Sequence, residues 1–359
     1  MPARHAKPSV TRRRVLSWVL AAPVVALGAR SGLASDLFAA RTEAPEHRFN
    51  LYLAVAEDGR VELTLPRTEI GQGVTTGGAV LVAEELDVRL DAVDVLTPGA
   101  LETIDVQIVG YSLSLRLLAP LLRGAGAEAR ARLVSAAAHR LDVPYGQLRT
   151  ENGEVIAPDG RRLGYGELAE EAAALVLPDN LVPTPKDPAD YRLAGHPHTR
   201  IDARAIVTGK AAYVLDRPPP EGAAAVVLAR PPQLGGKVRG YDDAKARALP
   251  GVLGTAQLPT GVAVAGETFH HALAGRDALD VDWSPGPADG LSDTDIRTRL
   301  RSVALDLPAL PKLLVKTIEG EFDFAHAAHA PLETQASTAD VRDGRAEVWS
   351  STQDPIGAR

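Results

Sequence analysis

Pro66-Arg67-Thr68-Glu69-Ile70-Gly71-Gln72-Gly73 runs directly into a helical stretch, residues 75–88, that contains Ala83-Glu84-Glu85-Leu86. Two glycines around a glutamine let the backbone approach a ligand closely, and the carboxamide offers donors and an acceptor to a phosphate or a heterocycle. A helix that begins just after them aims its free N–H groups at an anion. Gly-Gln-Gly alone is also the signature of a plain strand-to-helix turn, so its neighbours decide the reading.

Upstream, residues 49–56 and 60–65 alternate apolar and polar around Glu57-Asp58-Gly59, which predicts a hairpin. Downstream, Val93-Asp94-Val95-Leu96 reads as a short strand. Residues 116–141 read as a long helix rich in Ala, Leu and Arg, interrupted at Pro120 and at Gly124-Ala125-Gly126. Pro120 is expected to open the main part of this helix, because an interior proline lacks the N–H the helix needs. Turns between strands follow at 150–156 and 158–163, and 165–175 returns to helix.

Residues 178–200 carry Pro178, Pro183, Pro185, Pro188 and Pro197 among charged residues, the composition of an extended linker. Beyond it, 201–284 alternates β-type runs, such as 224–230 and 261–265, with short helices at 242–248 and 269–278, a compact α+β module. A second Pro-containing linker at 284–290 leads to a helix near 293–304 and to a hairpin around Asp343-Gly344. There is no internal repeat.

The N-terminus reads Thr11-Arg12-Arg13-Arg14 and then a mostly apolar run over 17–29, shorter than the roughly 20 residues of a spanning helix. A basic segment followed by a short apolar one predicts an export signal, and the adjacent arginines resemble the twin-arginine type. An ordinary secretory signal or a basic tail are the other readings. The expectation is a periplasmic protein whose membrane association arises only through an uncleaved signal.

Apolar residues make up 45% of the 359 but aromatics only 4%, so the core must be built from Ala, Val and Leu. A formal net charge of −7 argues against general nucleic-acid binding. With no cysteine, the chain has no thiolate with which to ligate an iron–sulfur cluster or to act as a nucleophile. Any such electron carrier must sit on a partner.

In this order, the pieces resemble the molybdopterin-binding large subunit of the xanthine dehydrogenase and aldehyde oxidase family, of the isoquinoline 1-oxidoreductase β-subunit type. The residues that carry the resemblance are Glu69, Gly71, Gln72, Gly73 and Ala83-Glu84-Glu85-Leu86, then Gly110-Tyr111-Ser112-Leu113-Ser114 ahead of Pro120-Leu121-Leu122-Arg123-Gly124-Ala125-Gly126-Ala127. Thr208-Gly209-Lys210, Arg230-Pro231-Pro232, Leu249-Pro250-Gly251-Val252 and Val281-Asp282-Trp283 stand where the family's α/β hammerhead domain has recurring residues. His329-Ala330-Pro331-Leu332-Glu333 and Thr352-Gln353 resemble the opening of its main molybdopterin domain.

The resemblance implies an α+β chain. Its expected parts are an export signal and linker over 1–45, a molybdopterin-domain segment over 46–177, the linker 178–200, a hammerhead domain over 201–284, and the start of a second molybdopterin-binding domain over 285–359. It implies a molybdopterin cytosine dinucleotide cofactor contacted by Gly71, Gln72, Gly73, Gly110, Ser112 and Gln353, with Glu333 facing the substrate. It further implies oxidation of an aldehyde or N-heterocycle with water-derived oxygen. Electrons would leave to a small subunit carrying [2Fe-2S] clusters.

Two departures qualify this. The family's Gly-Gly before Ser is Gly110-Tyr111 here. Its Gly-rich cofactor loop and its terminal Gly-x-Gly-Glu, which carries the catalytic base, have no counterpart in the 359 residues, so no catalytic residue is assigned. The expectation is a fragment that is inactive alone; the alternatives are a truncated, non-catalytic scaffold, a chain that needs a complementing one, or an exported binding module.

Other candidates read as structural. His196 with His198, and His270 with His271, lack further ligands in sequence for a metal, whereas His326 and His329 lie close to Glu333 and are candidates for lining a pocket. Glu84-Glu85 and Asp280/Asp282 read as solvated faces or caps, and Gly124 with Gly126 as a close helix contact.

Overall fold

A computed structural model describes residues 47–99, 107–305, 318, 320–325, 327 and 329–358. The export-signal reading and His326 lie outside the described residues. The architecture is mixed α+β, as the sequence indicates, and it divides into two compact units, Met1–Tyr213 with Ser351–Arg359, and Val214–Ser350.

In the first unit, β1 (Leu53–Val55) and β2 (Val61–Thr64) form the hairpin, with Val55 opposite Val61 and Gly59 turning at φ 83°. The chain crosses over through α1 (Val74–Leu86) and returns as β3 (Val93–Leu96), parallel to β2. This is a β-α-β unit, so the start of α1 lies at the carboxyl end of both parallel strands. α2 (Ser114–Leu141) packs on α1 and buries Leu118, Leu122, Ala125, Ala129, Leu133 and Ala136, the spacing of one helix face. A meander of β4 (Arg149–Glu151), β5 (Glu154–Ile156) and β6 (Arg162–Gly164) follows, then α3 (Tyr165–Ala174) and a short α4 (Ala203–Val207).

The helices α1 and α2 run parallel. A Cβ on Gly77, one turn into α1, would collide with Leu115 at the start of α2, and one on Gly126 would lie 2.6 Å from Cβ of Glu85 near the end of α1. Small residues therefore let the two axes approach, and the helix-initiating loops of both lie at the same end. Gly126 makes the close contact; a Cβ on Gly124 would meet nothing within 4 Å.

Two local expectations are corrected. Pro120 sits inside α2 rather than opening it. It is exposed and lies in the second turn beside exposed Arg116, so the carbonyl deprived of its helical donor is on the solvent side. Glu84 and Glu85 are not solvated: they are 3% and 0% exposed. Glu85 pairs with Arg123 at 2.9 Å and Arg130 at 3.2 Å, and its carboxylate also accepts the N–H of Lys186. Glu84 Oε2 accepts the N–H groups of Arg192, Leu193 and Ala194 at 2.9, 2.6 and 3.0 Å, while Lys186 Nζ reaches Asp87 at 2.5 Å. Arg123 and Arg130 donate onward to the carbonyls of Lys186 and Thr184, and the Arg123 guanidinium lies 5.2 Å from the Tyr191 ring centre. The stretch 184–194 is thus strapped to the helix pair by buried carboxylates, because an extended backbone has no ladder of its own and its N–H groups need acceptors.

The second unit holds a sheet in which Gly261–Gly266 lies between Ala225–Ala229 and Val252–Leu258, and a separate pair of Val238–Asp242 with Asp280–Trp283. In chain order these are β7 (Ala225–Ala229), β8 (Val238–Asp242), α5 (Ala244–Arg247), β9 (Val252–Leu258), β10 (Gly261–Gly266), α6 (Phe269–Asp277) and β11 (Asp280–Trp283). α6 lies on the three-stranded sheet, with Gly275 against Val264 and Val252. Then come α7 (Asp293–Ser302) and the hairpin of β12 (Ser337–Arg342) and β13 (Arg345–Ser350). Among the described residues no helix is long and apolar enough to cross a membrane.

Candidate functional site

The 69–73 loop is organised by Glu69. Its Oε1 accepts the N–H groups of Gly71 and Gly73 at 2.9 Å, and its Oε2 accepts the N–H and the hydroxyl of Thr75 at 3.1 and 2.8 Å. The carboxylate therefore takes the place of an anion at the N-terminus of α1, where the residue before the helix, Gly73, provides no side-chain cap. Burial pushes the Glu69 carboxyl up, but the bonds from Gly73, Thr75 and Gly71 outweigh it and hold the group below its ordinary value. Arg200 closes the loop from outside, donating to the Gly71 carbonyl at 2.8 Å, to Glu69 at 3.4 Å and to Asp202 at 2.6 Å. The Asp202 bond raises the Arg200 guanidinium further.

Gly71 and Gly73 adopt φ 97° and 79°, which an L side chain resists, and a Cβ on Gly71 would meet nothing within 4 Å. That backbone faces open space. The Gln72 carboxamide folds back on its own loop, Nε2 donating to the Thr68 carbonyl at 3.0 Å and Oε1 accepting from Ile70 N–H at 2.7 Å. It acts as a brace of the turn rather than as an outstretched hand.

The second loop precedes α2. Tyr111 and Ser112 both take left-handed φ values, 55° and 56°, where the sequence departs from Gly-Gly. Tyr111 is 94% exposed, so its strain is not offset by packing of the ring. No side chain caps α2. Val109 N–H donates to the Gln353 carbonyl at 2.9 Å, which brings the segment with Thr352-Gln353 beside this turn.

The structure therefore gathers Gly71, Gln72 and Gly73 with Gly110, Ser112 and Gln353 in the first unit, the two loops at the matched ends of two parallel helices. Glu333 lies in the second unit, where its Oε1 accepts from Val214 N–H at 3.4 Å. Among the described residues no three His, Cys, Asp or Glu side chains are grouped to hold a metal ion. His198 Nε2 contacts the Leu193 carbonyl at 2.7 Å, and His271 stands beside Thr268 in the first turn of α6.

Three groups escaped the sequence reading. Arg200 lies 129 residues from the carbonyl it holds. Thr68 Oγ1 and Gln107 Oε1 are buried with no hydrogen-bond partner, beside the first and second loops respectively. A side chain's unmet valence has no local sequence signal, although Thr68 and Gln107 lie within three residues of the glycines Gly71 and Gly110.

A profile of the molybdopterin cofactor-binding domain family matches residues 28–204, which contain both loops. The chain is 31% identical over 332 residues to a nicotinate dehydrogenase subunit of Pseudomonas putida, covering 86% of this chain and 27% of that one. It is 28% identical over 367 residues to the isoquinoline 1-oxidoreductase β-subunit of Brevundimonas diminuta, covering 85% and 47%. A membrane-bound aldehyde dehydrogenase (pyrroloquinoline-quinone) of Gluconacetobacter polyoxogenes is 26% identical over 98% of this chain and 48% of its own. The chain thus spans between about a quarter and a half of these relatives. Quinoline 2-oxidoreductase from Pseudomonas putida 86 overlaps 33% of this chain and 15% of its own at 20% identity and a TM-score of 0.28, too little to bear on the site.

Proposed function

Because this chain belongs to the molybdopterin-binding subunits of the xanthine dehydrogenase family, we propose that its first unit forms one wall of a molybdopterin site in a molybdenum hydroxylase. The enzyme would oxidise an aldehyde or an N-heterocycle. The observation that carries the reading is the pairing of two helix-initiating loops, 69–73 and 110–113, at one end of parallel α1 and α2, inside the stretch matched to the cofactor-binding family.

The residues fit the group. A long dinucleotide-bearing cofactor needs open backbone, N–H donors for its anionic part and side-chain partners for its ring. Gly71 supplies open backbone, the uncapped first turn of α2 supplies donors, and Gln107 and Thr68 bring unmet polar atoms. When bound, the cofactor supplies the two-electron redox chemistry. This chain's residues position it: Glu69 and Arg200 fix the first loop, Gln72 braces it, and the Val109–Gln353 bond fixes the second. The cytosine dinucleotide form, electron transfer to a [2Fe-2S] partner subunit, and periplasmic export by the twin-arginine route belong to the same proposal. So does a substrate-facing role for Glu333.

Co-expression with the small iron–sulfur subunit, followed by measurement of molybdenum and pterin per polypeptide, tests it. Stoichiometric pterin is expected; none, under conditions that load a full-length relative, overturns the cofactor role. That result would favour the second reading, a non-catalytic scaffold or a chain needing a complementing one.

A further inference from the structure

Gln107 is 1% exposed, just before the loop that starts α2. Its Nε2 donates to the carbonyls of Pro98 at 3.3 Å and Gly99 at 3.0 Å. Backbone carbonyls only accept, so these two bonds decide which end of the carboxamide is nitrogen. The opposite end is therefore the oxygen, and Oε1 has no partner in the chain.

Its surroundings point to a ligand. Pro98 and Gly99 follow β3, whose last residue, Leu96, is in register with Thr64 at the end of β2. Thr64 Oγ1 and Thr68 Oγ1 are buried and unpartnered as well. Three unmet polar atoms thus lie at the carboxyl end of the parallel strands, the position where β-α-β units hold ligands. A Cβ on Gly99, whose carbonyl Gln107 holds, or on Gly110 would meet nothing within 4 Å, so both glycines border open space. A threonine hydroxyl can rotate to donate or accept; the fixed Gln107 oxygen can only accept.

We propose that Gln107 reads the heterocyclic ring of the bound cofactor, its Oε1 accepting from a ring N–H or amino group, which turns the ring end of the molecule toward the β2–β3 edge. This rests on the molybdopterin reading above. A phosphate, with no proton to give at neutral pH, does not satisfy this oxygen and is directed instead to the uncapped first turn of α2. Acceptor at the strand ends and donors at the helix start together give the site a polarity that admits the cofactor in one orientation.

The test uses the chain co-expressed with its iron–sulfur partner, in wild-type form and as Gln107→Leu and the unbranched Gln107→Met. Pterin per polypeptide, the rate of pterin release, and the thermal midpoint of cofactor-stripped protein are measured. The expected result is at least a tenfold faster pterin release from both variants, with stripped midpoints close to wild type. Wild type that loads pterin while both variants hold it equally well overturns the inference and leaves the cofactor reading standing. Stripped variants that have lost cooperative melting overturn it too, because the amide would then be structural. Wild type that holds no pterin overturns both.

Discussion

Arg123 Nε donates to Glu85 Oε1 at 2.9 Å across the α1–α2 interface, and Glu85 is wholly buried there. The pair does more than join two helices, since Arg123 also donates to the Lys186 carbonyl and Glu85 accepts the Lys186 N–H. Helix pairing and strap docking therefore share one ion pair. Glu85→Leu strands both Arg123 and Arg130, and removing one partner of a buried pair costs roughly 3–5 kcal/mol. The lower end is expected, because both guanidiniums keep some solvent contact. Urea titration should show the loss, together with faster proteolysis within 184–194; an unchanged midpoint would refute the shared role.

Gly126→Ala and Gly124→Ala should act in opposite directions. The new methyl at 126 lies 2.6 Å from Glu85 Cβ, and overpacking of this kind costs roughly 1–3 kcal/mol, more than the ~1 kcal/mol gain in helix propensity. At 124 nothing stands within 4 Å, so only the gain applies and the variant should be more stable by about 0.5–1 kcal/mol. Two thermal melts on the full chain decide it, and equal shifts would show that the helices do not approach at 126.

What the sequence made readable was local. Asp58-Gly59 between alternating residues announced its hairpin, and the small residues around Gly126 announced a close helix contact. Pro120 misled because proline's cost depends on which face of the helix it occupies, and that face is set by packing against α1. Glu84 and Glu85 misled for a related reason: a glutamate is tolerated inside only where donors meet it, and theirs come from Arg123 and Arg130 on α2 and from residues 186–194, between 38 and 110 positions away. The glycine loops of the candidate site were visible as loops, but Glu69 as the anchor of one, and the unmet oxygen of Gln107 beside the other, follow only from three-dimensional placement.

The strap should loosen in acid. Burial pushes the Glu84 carboxyl up, but the N–H bonds from Leu193, Ala194 and Arg192 and the charge of Lys186 outweigh it, so its folded pKa lies below the ordinary value. A depressed carboxylate contributes stability that is complete above the unfolded pKa of about 4.3 and is lost as pH falls through the folded value. Hydrogen-exchange protection of the Leu193 and Ala194 amides, corrected for intrinsic rates, should thus hold from pH 8 to 5 and drop below about pH 4. Glu84→Gln should lack that dependence; a variant with the wild-type profile would move the cause elsewhere.

Tyr111 offers a test of strain at the second loop. It and Ser112 occupy left-handed backbone in succession, and such a conformation costs a non-glycine residue roughly 1–2 kcal/mol. The ring returns nothing to offset this, being 94% exposed. Glycine at 111 removes the strain but adds freedom to the unfolded chain worth about 0.5–1 kcal/mol. Tyr111→Gly should therefore leave stability unchanged or raise it by up to about 1.5 kcal/mol, the difference between those terms. Urea titration of the cofactor-free chain measures this directly. A loss of more than about 1 kcal/mol would mean that the tyrosine ring packs in solution, since burial of an aromatic side chain is worth that much or more, and the loop before α2 would then be closed rather than open to a ligand.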